Sequence, residues 1–154
     1  MKESFFHHFY YRCWQFYKAV LPDFASEDWE KEKKRADSRL LPLLDKLGKA
    51  EKAHVLRILA YISEDTGLSS EEKELLSGFA LVHDIGKAIT KPSLAFKVAK
   101  VLFKLNGNAH CITGARAVWK LTRNKSLAVR VLRHHEKPGR DKLVSLFQLY
   151  DDKS

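Results

Sequence analysis

Apolar residues recur at helical spacing along almost the whole of this chain. In one segment they follow at i, i+4, i+7, i+8 and i+11, the face of a single helix, and these residues are Leu94, Val98, Val101, Leu102 and Leu105. The preceding segment repeats this spacing from Leu75 to His83. No segment alternates apolar and polar residues as a half-buried strand does. The spacing therefore predicts an all-α protein.

Helix-capping residues mark where the predicted helices begin. Ser69-Ser70 stands ahead of two glutamates, and Asp141 follows a proline and a glycine, which are signals of a helix N-terminus. We predict helices at residues 4–20, 27–47, 51–65, 70–84, 93–105, 109–123, 126–136 and 141–151. Pro42 is expected to interrupt or bend the second of these helices, because it lacks a backbone donor and clashes with the preceding turn.

Length and composition fit one globular domain. With 154 residues, 45% of them hydrophobic and 31% charged, the chain can bury a substantial core. Neither a repeat, a low-complexity tract nor a long linker divides it. We therefore predict a compact single-domain bundle of about seven or eight helices over residues 1–154. Aromatic and charged helices are expected over 1–39, and the core over 40–152.

Cysteine content and hydropathy indicate a cytoplasmic protein. Two cysteines, Cys13 and Cys111, are too few for a disulfide framework. Cys111 stands beside His110, and we interpret it as a small buried apolar residue rather than a metal ligand. No apolar run approaches the ~20 residues that a membrane span needs, and the N-terminus does not resemble a signal peptide. We expect a soluble, unprocessed chain without a membrane span.

Most histidines of the chain, together with three aspartates, follow a single order. His54 comes first, His83-Asp84 ends an apolar run, His110 and His134-His135 follow, and Asp151-Asp152 lies near the end. Imidazole nitrogens and carboxylate oxygens suit borderline divalent metals, and a carboxylate can also bridge two ions. The pattern therefore indicates a metal site.

Helical placement directs these side chains inward. His54 shares a helix face with Ile58 and Tyr61, and His83 shares one with Leu76 and Phe79. A lone buried histidine is more often a hydrogen-bonded core residue than a ligand. Five inward histidines with two carboxylates are hard to satisfy without a cation. For the His-His pair at the end of its helix, a favourable interaction with the helix dipole is the alternative interpretation.

Positive charge is concentrated in the second half of the chain. Residues 87–142 contain 14 Lys or Arg against two acidic residues, a local balance of +12, so the remainder carries about −3 of the total of +9. Such a field around a metal site would attract a phosphorylated ligand. A solvated basic face without a ligand is the alternative, and the charge pattern favours neither.

These residues resemble a known family. The order His54, His83-Asp84, Asp151, with Ile85-Gly86-Lys87 completing an HDIGK box, is similar to that of the HD-domain metal-dependent phosphohydrolases, an all-helical superfamily. The resemblance covers roughly residues 40–152, including the lead-in to the first histidine and the helix that delivers the last aspartate. Asp151 matches the family position better than Asp152 does.

The additional histidines resemble those of HD-domain members that bind two metals, including the HD-GYP phosphodiesterases. This resemblance implies one ion held by His54, His83, Asp84 and Asp151. It implies a second ion held by His110, His134 and His135, with Asp84 bridging the two. The ions would be divalent, drawn from Fe, Mn, Co, Ni, Zn and Mg. The chain lacks the GYP-containing loop after its His-His-Glu, which argues against hydrolysis of cyclic-di-GMP.

The resemblance implies a hydrolase that acts on phosphate esters. Metal ions would lower the pKa of a bound water toward neutrality, and Asp84 and Lys87 would be the catalytic residues. Lys87 would neutralise a phosphate oxygen, and further phosphate contacts are expected from Arg133, Lys137 and Arg140, each of which has an ordinary surface charge as its alternative. We expect a phosphomonoester or phosphodiester of a nucleotide as the substrate. The alternatives are an HD-type nuclease acting on DNA or RNA and a non-catalytic, metal-braced signalling module.

The N-terminal segment is unusually aromatic. Aromatic residues surround almost the whole of its predicted helix, at Phe5, Phe6, Phe9, Tyr10, Tyr11, Trp14, Phe16 and Tyr17. Such a helix requires burial on several sides. It either caps the domain core or forms a homodimer or partner interface. Base stacking and attachment to a membrane surface are further alternatives.

Overall fold

The computed structural model describes residues 25–90, 109–137, 139 and 141–154. Every regular element within these ranges is helical, so the all-α prediction is confirmed. The predicted helices at 4–20 and 93–105, and with them the aromatic N-terminal segment, lie outside the described residues. None of the helices in the described ranges is both long and apolar enough to cross a membrane.

The helices are named here in chain order. Two short 3₁₀ turns, Lys33–Arg35 and Ser38–Leu40, lie between the first two α-helices. The α-helices are α1 (Ser26–Glu32), α2 (Leu41–Asp45), α3 (Lys49–Glu64), α4 (Ser70–Val82), α5 (Lys87–Thr90), α6 (Ala109–Thr122), α7 (Lys125–Arg133) and α8 (Lys142–Asp151). The predicted helices from residue 51 onward that fall in the described ranges agree with α3, α4, α6, α7 and α8 to within a few residues.

The single helix predicted over 27–47 is wrong. The chain breaks after the first 3₁₀ turn, where Ala36 adopts an extended conformation and the carboxylate of Asp37 accepts a hydrogen bond from Arg39 N at 3.0 Å. Pro42 lies in the first turn of α2. A missing N–H has no consequence there, because the first helical donors have no partner within the helix. Pro42 therefore lies at the start of a helix and does not bend one.

Side-chain caps position the helices that carry the site. Ser69 and Glu72 form a capping box at the start of α4, in which Glu72 N donates to Ser69 Oγ and Ser69 N donates to Glu72 Oε2. Asp141 caps α8 and accepts from Leu143 N at 2.9 Å. Between α6 and α7 the chain turns at Arg123, whose φ is 59°. Two of these starts, at Ser69 and Asp141, were predictable from the sequence alone.

The buried core draws on all eight of these α-helices. Trp29, which is 1% exposed, joins α1 to this core. Phe79 of α4 packs against Phe147 of α8 with ring centroids 4.5 Å apart. The ring of His83 lies 4.9 Å from that of Phe147, so the aromatic contact continues to the first residue of the candidate site.

Two glycines allow α6 to approach the chain that follows α4. A Cβ atom on Gly86 would overlap the carbonyl group of His110 and would lie 2.8 Å from Gly114 N. A Cβ atom on Gly114 would lie 3.0 Å from Gly86 N. The two backbones therefore touch directly, which is possible only without side chains at these positions. This contact brings the first turn of α6 next to Asp84.

Candidate metal centre

The His-Asp pair lies in a buried turn at the end of α4. His83 is the C-terminal cap of that helix, and its backbone N donates to Phe79 O at 2.9 Å. The chain then turns through Asp84 to α5. His83 is 1% exposed and Asp84 is 3% exposed. Polar side chains this deeply buried need partners, because their desolvation is otherwise uncompensated.

One group of predicted ligands comes from α3, the end of α4 and the end of α8. His54 Nε2 lies 2.8 Å from Asp151 Oδ1. His83 Nε2 lies 3.4 Å from Asp84 Oδ2 and 3.8 Å from Asp151 Oδ1. Asp151 therefore contacts both of these histidines. The four residues expected to share an ion are thus brought together.

A second group comes from the start of α6 and the end of α7. His110 Nε2 lies 3.3 Å from His135 Nε2. The same nitrogen of His110 lies 3.3 Å from Asp84 Oδ1, and His134 Nε2 lies 3.7 Å from that oxygen. Asp84 therefore turns one carboxylate oxygen toward each group, which is the arrangement that a bridging carboxylate requires.

Backbone carbonyls orient the two most buried imidazoles. His83 Nδ1 donates to Ala80 O at 2.8 Å, and His134 Nδ1 donates to Val131 O at 2.6 Å. Because a carbonyl can only accept, Nδ1 carries the proton of each neutral ring. The lone pair is then on Nε2, which faces the cluster as it does in metal-binding histidines. Within the described residues, His83 Nε2, His134 Nε2 and Asp84 Oδ1 are buried without a hydrogen-bond partner.

His54 is oriented in the same way by Ser154. Ser154 Oγ donates to Asp151 O at 3.0 Å, so its lone pair accepts from His54 Nδ1 at 2.8 Å. His54 Nε2 then faces a carboxylate oxygen of Asp151, and two acceptors this close require a proton or a cation between them. Ligand atoms about 2.1 Å from one ion would lie about 3.0 to 3.4 Å apart. Across the two groups the observed distances run from 2.8 to 3.8 Å and span that range, so the residues fit divalent ions.

Several of the groups are in the form that binds metal. Burial disfavours ionised Asp84, but Lys87 and His83 outweigh it and hold the pKa of Asp84 well below its usual value. Burial likewise opposes ionisation of Asp151, yet the hydrogen bond with His54 lowers its pKa to about 2. Although His135 is partly exposed to solvent, desolvation beside the cluster and the adjacent His134 lower its pKa to about 3. The two carboxylates are therefore charged and His135 is neutral at pH 7.

The pKa values of His83 and His134 move in the opposite direction. Burial lowers each pKa, but nearby carboxylates outweigh burial, so that the pKa of His83 is raised by Asp84 and Asp151. The pKa of His134 is raised mainly by Asp84. Without a metal ion, a proton is the cation that these carboxylates attract. A metal ion bound here would have to compete with that proton.

Lys87, in the first position of α5, lies at the edge of the cluster. Its Nζ donates to Asp84 Oδ2 at 2.5 Å, and its side chain is 29% exposed. Burial opposes its charge, but Asp84 raises its pKa. This ammonium group is therefore a permanent positive charge in contact with both solvent and the cluster.

The other predicted phosphate-binding residues lie beyond the His-His pair. Arg133 and Lys137 line a cleft of about 300 Å³ between the end of α7 and the start of α8. Arg133 Nε lies 3.7 Å from a carboxylate oxygen of Glu136, which lines the same cleft. Arg140 is outside the described residues. Gln148 Nε2 donates to His134 O at 2.9 Å and to Glu136 O at 2.6 Å, and so fixes this segment on α8.

Cys111 also lies at the second group, where it was not expected as a ligand. The prediction that it is buried is confirmed, because it is 1% exposed. Its Sγ lies 3.5 Å from His110 Nε2. The only signal in the sequence was its adjacency to His110, and neighbouring residues on a helix usually point in different directions.

The fold and the site together define an all-helical protein with a buried cluster of histidines and aspartates. A family model described as the HD domain matches residues 53–152. The chain therefore belongs to the HD-domain family. Members of this superfamily are metal-dependent hydrolases and bind divalent metal ions. No curated protein and no solved structure matches the chain significantly.

Proposed function

We propose that this protein is a metal-dependent phosphohydrolase with a binuclear centre bridged by Asp84. One observation carries the proposal. The two oxygens of this single buried carboxylate face two separate groups of histidines, at 3.4 Å from His83 Nε2 and at 3.3 Å from His110 Nε2. A carboxylate placed in this way suits two ions better than one, because each oxygen can bind a different ion.

The proposed ligands divide as the two groups do. The first ion would be held by His54, His83, Asp84 and Asp151. The second would be held by His110, His134 and His135, together with the other oxygen of Asp84. Nitrogen and oxygen ligands of this kind accept Fe, Mn, Co, Ni or Zn, and a site richer in oxygen also accepts Mg.

The chemistry would combine the ions with two residues of the chain. When bound, divalent ions bring the pKa of a coordinated water toward about 7 and supply hydroxide at neutral pH. Asp84 would keep the ions at a fixed separation. Lys87 carries the permanent charge nearest to the cluster, and we propose that it neutralises a non-bridging oxygen of the substrate phosphate.

The substrate we propose is a phosphomonoester or phosphodiester of a nucleotide. Support comes from the excess of positive charge in residues 87–142 and from the cleft beside the His-His pair, which Arg133 and Lys137 line. Arg140 completes the proposed set of phosphate contacts. Cys111 is not in a disulfide, which suits the reducing cytoplasm that we propose as the compartment. We propose that the aromatic segment at residues 5–17 either caps the domain core or forms a homodimer interface.

The charge distribution also favours a second candidate, a nuclease. Exposed basic side chains continue along the described part of the basic half, at Lys120, Arg123, Lys125 and Arg133. A protein that neutralises several phosphates of DNA or RNA releases counterions, so its affinity falls steeply as salt is added. Hydrolysis of a mononucleotide ester would show a much weaker dependence.

The test of this proposal is turnover by protein of known metal content. The protein is purified anaerobically without chelators, and assayed with Mn²⁺, Fe²⁺, Co²⁺, Ni²⁺ or Mg²⁺ on a panel of nucleoside monophosphates, cyclic nucleotides, dinucleotides and oligonucleotides. We expect metal-dependent release of phosphate or of a nucleotide from at least one of them. Retained metal without turnover of any phosphoester would instead favour a metal-braced signalling module.

A further inference from the structure

The second group of ligands contains a sulfur atom. Candidate ligand atoms of His110, Cys111, His134 and His135 all lie within 4.8 Å of one another. The sulfur lies 3.5 Å from His110 Nε2. Cys111 is buried and is not in a disulfide. Its thiol is therefore next to three imidazoles and is shielded from bulk solvent.

A second observation points to a ligand at the same place. His134 has a side chain that is 0% exposed, and its Nε2 has no hydrogen-bond partner among the described residues. The backbone carbonyl of Val131 accepts from its other ring nitrogen, which fixes the direction of the ring. A buried lone pair thus lies in the cluster that includes the sulfur of Cys111. A hydrogen bond from a neutral thiol is weak and would compensate this nitrogen poorly.

We infer that Cys111 supplies a thiolate ligand to the ion held by His110, His134 and His135. This inference rests on the proposed binuclear function and deepens it. The bond from sulfur to metal forms as the thiol loses its proton to solvent, because a coordinated thiol is deprotonated outright. Cys111 acts here as a metal ligand and has no role as a nucleophile.

The two halves of the centre would then prefer different metals. The half around His54, His83 and Asp151 offers nitrogen and oxygen atoms alone. The half around His110 adds sulfur, a soft ligand that favours zinc, cobalt or iron over magnesium, manganese or calcium. Asp84 contributes one oxygen to each half. The structure thus assigns a thiophilic ion to the second half and leaves the first half open to a harder ion.

Cobalt(II) spectroscopy of the full chain tests this inference. Metal-free protein is titrated with two equivalents of Co²⁺ under reducing, anaerobic conditions, for the wild type, Cys111→Ser and Cys13→Ser. We expect a thiolate-to-cobalt charge-transfer band in the near ultraviolet for the wild type and for Cys13→Ser. Cys111→Ser should lack this band and keep its visible d–d bands. In competition with a chelator, the zinc affinity of the site formed by His110, His134 and His135 should be about tenfold or more lower in this variant than in the wild type.

The possible failures are distinguishable. Cobalt d–d bands in the wild type without a charge-transfer band would overturn the thiolate ligand and leave the binuclear phosphohydrolase intact. Absence of any bound cobalt would overturn both. X-ray absorption spectroscopy of the zinc-loaded wild type is an independent test, because it does not depend on whether a variant folds. A sulfur neighbour at about 2.3 Å is expected, and a shell of nitrogen and oxygen alone would contradict the inference.

Discussion

Gly86 and Gly114 touch backbone to backbone, and a Cβ atom added to Gly86 would lie 2.8 Å from Gly114 N. Gly86 belongs to the turn that carries His83 and Asp84, and Gly114 belongs to α6, which carries His110. The separation between the two halves of the proposed centre therefore depends on a contact that only glycine permits. A larger residue at either position would move ligands of one ion away from those of the other.

Gly86→Ala should destabilise the fold and weaken metal binding together. The added methyl group meets the backbone of His110, which cannot move as a flexible side chain would, so we expect a loss of about 1–3 kcal/mol in the free energy of unfolding. Gly78→Ala is the matched control. A Cβ atom there meets nothing within 4 Å. Alanine in the middle of α4 should stabilise by up to about 1 kcal/mol. Denaturant unfolding compares the two variants, and equal effects would show that the Gly86 contact is unimportant.

Tyr150→Phe should remove a pH-dependent link between α8 and the end of α3. Tyr150 Oη donates to Asp65 Oδ2 at 2.7 Å. Burial and Asp65 raise the pKa of Tyr150 from 10.0 to about 12, so its contribution to stability is present below pH 10 and is lost as the pH rises through about 12. The same hydrogen bond lowers the pKa of Asp65 from 3.8, so its contribution is lost as the pH falls through the folded-state value.

Urea unfolding of wild type and Tyr150→Phe across the pH range checks this. The difference in stability should be largest between pH 3.8 and pH 10, and should shrink at both extremes. Tyr61→Phe, at a tyrosine that is 38% exposed on α3, is the control and should show little effect. A difference that does not change with pH would mean that packing, and not the hydrogen bond, accounts for the role of Tyr150.

Lys87→Met should lower turnover by about 10²-fold or more and leave metal content intact. That is the scale on which the loss of one transition-state charge donor is usually felt. Lys120→Met, at an exposed lysine of α6, is the control and should retain the wild-type rate. The rate on the best substrate is measured at saturating metal. An unaltered rate for Lys87→Met would show that Lys87 is an ordinary surface charge without a catalytic role.

The adjacent aspartates provide a matched pair of variants. Asp151 contacts His54 and His83, and its low pKa keeps it charged. Asp152, by contrast, has a pKa raised by burial and by Asp151. Asp151→Asn should therefore lose one ion per chain, whereas Asp152→Asn should keep both. Elemental analysis of the two variants decides between them, and the reverse result would assign the ligand to Asp152.

Local sequence patterns predicted α3, α4, α6, α7 and α8 because their apolar faces and several of their caps lie within each segment. They failed over 27–47, where Asp37 caps a new turn within a stretch whose composition still favours a helix. The grouping of these histidines and aspartates was predictable from the HDIGK resemblance. The place of Cys111 was not, since it depends on how the end of α7 packs over the first turn of α6. Such long-range placement leaves no local pattern.

The binuclear centre is tested most directly by the metal content of the wild type and of Asp84→Ala, purified anaerobically without chelators. The wild type should contain two ions per chain. Asp84→Ala should contain almost none and show no activity, while its helical circular dichroism largely survives. About one ion per chain in the wild type, with no metal contact at His110, would contradict the binuclear centre. Full metal content in Asp84→Ala would contradict the bridging role of this carboxylate.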